Sequence, residues 1–165
     1  MNLPDAETLF EGLIEQIKPI ITADTAIVGI HSGGAWLAER LLAILGGGIE
    51  NGILDVSFYR DDYNQRGLHN ETKPSQIPFE VKDKHILLID DVFYTGRTIR
   101  AAMNELFDYG RPASITLAVL VNRGGRELPI APQISAFNTE LEASKNLQLL
   151  RHPDGTFYFT LEENK

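Results

Sequence analysis

Leu9, Phe10, Leu13, Ile14 and Ile17 recur at i, i+1, i+4, i+5 and i+8, the spacing of one helix face. Asp5 is placed to cap that helix and Pro19 to end it. The β-branched run Thr25–Ile30 predicts a short strand closed by the turn His31-Ser32-Gly33-Gly34. Over residues 35–45, Trp36, Leu37, Leu41, Leu42 and Leu45 return to helical spacing, and Gly46-Gly47-Gly48 stops them. Over residues 53–60, Leu54, Val56 and Phe58 alternate with Asp55, Ser57 and Tyr59, as in a half-buried strand. Residues 61–79 are polar and aperiodic, with Gly67, Pro74 and Pro78. A stretch of that kind inside a domain is expected to be a lid, a binding loop or a disordered segment.

Residues 85–89 are wholly apolar and run into Asp90 and Asp91. A turn then leads to a helix over Arg97–Tyr109, with Ala101, Ala102 and Leu106 inward and Gly110 as its stop. Residues 114–121 form the next apolar run. Strands that are apolar throughout and alternate with helices predict an α/β fold, a doubly wound and mostly parallel sheet covered on both faces. Beyond Arg123 the texture changes. Short strands around residues 133–137 and 147–151, and Asp154-Gly155 turning into residues 156–161, predict a small antiparallel hood or hairpin over about 123–165. The expectation is one domain over 1–165, with a flexible loop at about 61–79.

Composition narrows the function classes. The 165 residues include no Cys, which removes disulfides, thiolate nucleophiles and cysteine-based metal sites. No apolar run approaches the ~20 residues that span a bilayer, and the polar start Met1 to Asp5 is unlike a secretory leader, so a soluble, cytoplasmic protein without membrane partners is expected. Fifteen Lys and Arg against 23 Asp and Glu give a net charge of −8, which opposes non-specific binding to a polyanion. RNA binding is therefore disfavoured unless a local basic patch exists, and the nearest candidate is Arg123 and Arg126 flanking two glycines.

The chemistry concentrates in residues 86–98, ILLIDDVFYTGRT. Ligands of doubly wound sheets bind at the carboxyl ends of strands, and a helix N-terminus attracts anions. Thr95, Gly96, Arg97 and Thr98 are placed to cradle a phosphate, Gly96 allowing close backbone approach and the threonines adding hydroxyls. Asp90 and Asp91 repel a phosphate and suit sugar hydroxyls or a cation. Together these residues describe a site for a phosphorylated sugar. The bland alternative for a lone Asp-Asp pair is an exposed acidic turn before an ordinary helix.

The same thirteen residues resemble the phosphoribosyl-pyrophosphate (PRPP) signature of the type I phosphoribosyltransferase family, and VFYTGRTIRAAMNEL is close to its PyrR-type branch of uracil phosphoribosyltransferases that also regulate pyrimidine operons. The likeness continues at Val28-Gly29-Ile30, Leu37-Ala38-Glu39-Arg40, Asp55-Val56-Ser57-Phe58-Tyr59-Arg60-Asp61-Asp62 and Val121-Asn122-Arg123-Gly124-Gly125-Arg126-Glu127-Leu128-Pro129-Ile130, in family order over most of the chain.

This resemblance implies transfer of the phosphoribosyl group of PRPP to uracil, giving UMP and pyrophosphate, in pyrimidine salvage. Asp90 and Asp91 would hold the ribose hydroxyls. Val92, Phe93, Tyr94, Thr95, Gly96, Arg97 and Thr98 would form the phosphate loop. Ser32, Gly33 and Gly34, with His31, would take the pyrophosphate. Asn122, Arg123 and Gly124 would frame the base, and Leu147 would complete the hood. Arg60 and Arg66 would add charge as the loop closes. Mg²⁺ is the implied cofactor, held mainly by PRPP oxygens, and a homo-oligomer, dimer or tetramer, is the implied assembly. The loop His31-Ser32-Gly33-Gly34 lacks the basic side chains usual there, which leaves open a nucleotide- or PRPP-sensing regulator acting by RNA attenuation with residual catalysis; transfer to another base is also open. The aromatics Tyr59, Phe93, Phe157, Tyr158 and Phe159 are spaced for core or subunit packing, as is Trp36.

Overall fold

A computed structural model describes residues 2–57 and 75–164. The chain begins with α1 (Ala6–Ile17), whose Thr8 amide and hydroxyl both donate to Asp5 Oδ2 at 3.0 and 3.2 Å, the cap read from the sequence. Its stripe Leu9, Phe10, Leu13, Ile14 and Ile17 is buried, and a 3-10 turn at Lys18–Ile20 carries Pro19. There follow β1 (Thr25–Ile30), α2 (Gly33–Leu45), β2 (Glu50–Leu54), β3 (His85–Phe93), α3 (Arg97–Tyr109), β4 (Ser114–Asn122), β5 (Ile134–Asn138), β6 (Lys145–Arg151) and β7 (Phe157–Glu163).

The first five strands form one parallel sheet in the order β2-β1-β3-β4-β5, and β6 pairs antiparallel with β7. Side-chain alternation divides the core into two layers. Ile27, Leu87, Ile89 and Leu120 point to the face covered by α1, α2 and the β6–β7 hairpin. Ala26, Val28, Ile30, Ile86, Leu88 and Val119 point to the face covered by α3. Burial of each such Leu, Ile or Val side chain stabilises by about 1.5–3 kcal/mol, so the sheet needs both covers. The doubly wound parallel reading holds.

Three expectations need correction. The strand read over residues 53–60 lies earlier, at Glu50–Leu54, because the parallel register with β1 pairs Ala26 with Glu50 and Ile30 with Leu54. After Leu54 the backbone turns away: the Asp55 amide donates to Ser75 Oγ and the Ser57 amide to Asp55 Oδ1, both at 3.0 Å. Val56 is nonetheless buried, as the alternation required. Second, the strand over residues 85–89 does not end at the carboxylates; β3 runs on through Asp90 and Asp91 to Phe93, paired with β4 as far as Phe93 beside Asn122. Third, the strand around residues 133–137 belongs to the central sheet as β5, parallel to β4, and only β6 and β7 form the hairpin. Local sequence cannot show which edge a short strand will join.

The chain runs from β1 outward to β2, returns to β3 on the other side of β1, and then proceeds outward through β4 to β5. The strand order therefore reverses between β1 and β3, and in open α/β sheets the crevice at the carboxyl ends of such a pair is the ligand site.

Candidate active site

Two turns meet at that crevice. After β1, the His31 amide donates to the Leu54 carbonyl at 2.8 Å, so the turn begins fastened to β2. The His31–Ser32 peptide is cis. Gly29 is forced by contact: a Cβ there would stand 2.7 Å from both Ala35 Cα and the Gly34 carbonyl oxygen. A methyl on Gly33 would run into the Asp91 carboxylate, and one on Gly34 would lie 3.0 Å from Asp90 Cα. The start of α2 is thus laid directly on the Asp91 carboxylate and on the β3 backbone at Ile89 and Asp90, and Ser32 makes no side-chain cap.

From β3, Asp90 is 4% exposed and its Oδ1 accepts the Asp91 amide at 2.9 Å; Asp91 is half-buried and its Oδ1 accepts the Val92 amide at 2.8 Å. These local bonds leave each carboxylate further lone pairs. Val92 packs against one core layer and Phe93 is buried in the other, so the part of these two in a ligand site is that of backbone rather than side chain. Thr95 Oγ1 accepts the Arg97 amide at 3.2 Å, and its carbonyl accepts the amides of Glu127 and Leu128 at 2.9 and 3.3 Å. Gly96 caps α3 with φ +95, in the left-handed region that favours glycine. Lacking a side chain, it leaves the amides of Thr98 and Ile99 without a capping oxygen. Arg97 is half exposed and its Nε donates to Glu127 Oε2 at 2.8 Å, a partner unforeseen from the sequence.

Two helix N-termini, of α2 and α3, therefore lie at one carboxylate pair, Asp90 buried and Asp91 half-buried. Positive helix ends and free amides suit phosphate groups, and carboxylates between them suit hydroxyls. This geometry agrees with the phosphorylated-sugar reading.

Asn122, half-buried, ends β4, and its carbonyl accepts the Thr139 amide at 2.9 Å. Arg123 is 3% exposed. Its amide donates to the Phe93 carbonyl at 3.1 Å, Nη1 to the Lys145 carbonyl at 2.8 Å and Nη2 to the Glu142 carbonyl at 2.9 Å. The guanidinium lies 4.0 Å from the Tyr94 ring centroid, and burial pulls its pKa below the ordinary arginine value, Tyr94 opposing the shift. Arg123 is thus spent on tying the end of β4 to the hairpin and is withdrawn from any surface basic patch. Leu147, 5% exposed, is buried in the core layer shared with α1 instead of lining an opening, because the alternation of β6 turns Leu147 and Leu149 inward together. Arg60 and Arg66 lie outside the described residues, as does most of the 61–79 loop. The packing reading of the aromatics holds for Phe157 in the core and for Trp36, half-buried with Arg151 4.8 Å from its ring centroid.

The family described as "Phosphoribosyl transferase domain" matches residues 3–149. The chain belongs to the phosphoribosyl transferase domain family. Within it, the chain is 49% identical over 165 residues to "Bifunctional protein PyrR" of Ralstonia nicotianae, covering 96% of this chain and 94% of that one. It is 54% identical over 155 residues to the protein of the same name from Pseudomonas aeruginosa, covering 91% of each. Among solved structures, the purine phosphoribosyltransferase of Pyrococcus horikoshii superposes with a TM-score of 0.60 at 29% identity, covering 81% of this chain and 82% of that one. The PyrR-type resemblance read from the sequence is borne out. Among the described residues no helix is long and apolar enough to cross a membrane.

Proposed function

We propose that this protein catalyses transfer of the phosphoribosyl group of PRPP to uracil, releasing pyrophosphate and giving UMP. The observation that supports it is the adjacent pair of buried Asp90 and half-buried Asp91, set at the starts of α2 and α3, in a chain of the PyrR type.

On this reading the amides and hydroxyls of Thr95, Gly96 and Thr98 bind the 5′-phosphate, and the turn His31-Ser32-Gly33-Gly34 faces the diphosphate. Asp90 and Asp91 accept hydrogen bonds from the ribose hydroxyls. The bond from the base nitrogen to the anomeric carbon forms as the carbon–oxygen bond to pyrophosphate breaks, and the N–H proton is lost. Positive charge develops on the ribose ring, as in glycoside cleavage, and the two carboxylates beneath the ring stabilise it. No side-chain nucleophile is needed; the residues position the parts.

Mg²⁺ belongs to the same proposal. Asp90 and Asp91 are hard oxygen donors, and among the described residues no cluster of three or more His, Cys, Asp or Glu forms a metal cage, which fits an ion held by one or two carboxylates and ligand phosphates. When bound, it neutralises charge on the leaving diphosphate. A cytoplasmic homo-oligomer, dimer or tetramer, completes the reading.

Purified protein incubated with PRPP, Mg²⁺ and each nucleobase separately, with pyrophosphate release followed, is expected to turn over with uracil. Turnover with hypoxanthine or guanine and none with uracil overturns the base assignment; PRPP binding without turnover on any base favours the sensing regulator.

A further inference from the structure

The turn from β3 into α3 is held from outside by the segment that follows β4. The Arg123 amide donates to the Phe93 carbonyl at 3.1 Å, and the amides of Glu127 and Leu128 both donate to the Thr95 carbonyl, at 2.9 and 3.3 Å. Leu128 and Ile130 lie against Gly96, since a Cβ on that glycine would stand 3.5 and 3.8 Å from their Cβ atoms. Glu127 then adds its side chain: Oε2 accepts from Arg97 Nε at 2.8 Å, 30 positions back along the chain. With the Arg97 amide donating to Thr95 Oγ1 at 3.2 Å, these bonds close a cycle through Thr95, Arg97 and Glu127.

We propose that Glu127 is a positioning residue for the sugar phosphate, acting through Thr95 and Arg97 without touching the phosphate itself. The inference rests on the phosphoribosyltransferase reading and adds to it a residue that lies outside the phosphate turn. Each bond of the cycle favours donors over acceptors at the start of α3. The Thr95 carbonyl would repel a phosphate oxygen, and the Glu127 and Leu128 amides hold it in hydrogen bonds of its own. Thr95 Oγ1 accepts the Arg97 amide, so its hydroxyl proton is left to donate elsewhere. The Glu127 carboxylate restricts the rotamers of the Arg97 side chain, and with them the first residue of α3. As a bare negative charge beside the turn, Glu127 would weaken the binding of a phosphate. As the anchor of the turn it strengthens that binding, so the two roles have opposite signs.

The test measures affinity for PRPP and for ribose 5-phosphate by calorimetry, together with kcat and the KM values for PRPP and uracil. It compares the wild-type protein with Glu127→Ala, Glu127→Gln, Arg97→Ala and the double variant Arg97→Ala/Glu127→Ala. Glu127→Ala is expected to weaken both ligands about fivefold, the upper end for an exposed ion pair, and to raise the KM for PRPP while leaving that for uracil in place. Glu127→Gln keeps an oxygen that accepts from Arg97 Nε and is expected to recover most of the loss. The double variant is expected to bind no more weakly than Arg97→Ala, because the carboxylate acts through that side chain. Unchanged or tighter binding in folded Glu127→Ala and Glu127→Gln overturns the proposal, as does a fully additive loss in the double variant. A role in folding alone would lower the unfolding midpoint and leave the KM for PRPP where it was, which also overturns it. A wild-type protein that binds neither PRPP nor ribose 5-phosphate overturns instead the phosphoribosyltransferase reading beneath it.

Discussion

Asp90 and Asp91 are adjacent, yet the strand gives them different environments, one almost fully buried and one half-buried against Gly33. Ribose hydroxyls donating to them make charge-assisted bonds, roughly twice as strong as neutral ones. Asp90→Asn and Asp91→Asn keep the shape and remove the charge. Each is expected to weaken PRPP affinity or turnover by about tenfold or more, the double variant more, with the thermal unfolding midpoint little changed. Variants that fold and keep wild-type binding and turnover would show that the central assignment is wrong. Gly33→Ala belongs beside them: its methyl would displace the Asp91 carboxylate, so calorimetry should show the same loss of PRPP affinity although no ligand-binding side chain has been removed.

Among elements, one join between the sheet and the hairpin is made by the buried Arg123. Arg123 fills two carbonyls of the segment leading into β6 and lies on the Tyr94 ring, while its Nε has no hydrogen-bond partner. Among the described residues no carboxylate forms an ion pair with it, so its charge is compensated by carbonyl dipoles and the ring face. Arg123→Met would remove the desolvation cost but orphan the Glu142 and Lys145 carbonyls. A net destabilisation of about 2–4 kcal/mol is expected, read from urea unfolding. A change close to zero would mean that the hairpin is held by its apolar contacts alone. The hairpin also has polar ties to the helical layer: Arg40 stands over the Phe10 and Phe157 rings, 4.6 Å from each centroid, and pairs with Glu7 at 2.7 Å, which in turn accepts the Phe157 amide at 3.0 Å.

For the whole molecule, charge governs the choice of partner. The net charge is −8, Arg123 is buried and Arg97 is paired with Glu127, so the basic segment foreseen around residues 122–126 presents less positive surface than its sequence promised. Association with an RNA of the pyrimidine-leader type is expected to be no tighter than with a control RNA of equal length, and to weaken further as salt rises. Titration of both RNAs at two salt concentrations measures this. Tight, sequence-selective binding that persists at high salt would favour the attenuation reading.

The sequence by itself determined the elements with strong periodicity: α1 with its Asp5 cap, β1, α3 to its last residue, and the strand–turn–helix that carries ILLIDDVFYTGRT. In each of these the local pattern and the tertiary demand agree, since the apolar stripe that forms the element is also the face that the sheet covers. The position of Asp90 and Asp91 late in the strand and of Thr95, Gly96, Arg97 and Thr98 at the turn into α3 was legible for the same reason. Only the tertiary structure decided the rest. The position of β2 follows from its register with β1, and the placement of β5 from the open edge of β4, neither of which is local. Leu147 and Arg123 were placed near the base by resemblance alone, and only the tertiary packing shows both side chains buried. Asn122 and Asn138, sixteen positions apart in the chain, become neighbours through the parallel pairing of β4 with β5 alone, a long-range contact that no periodicity encodes.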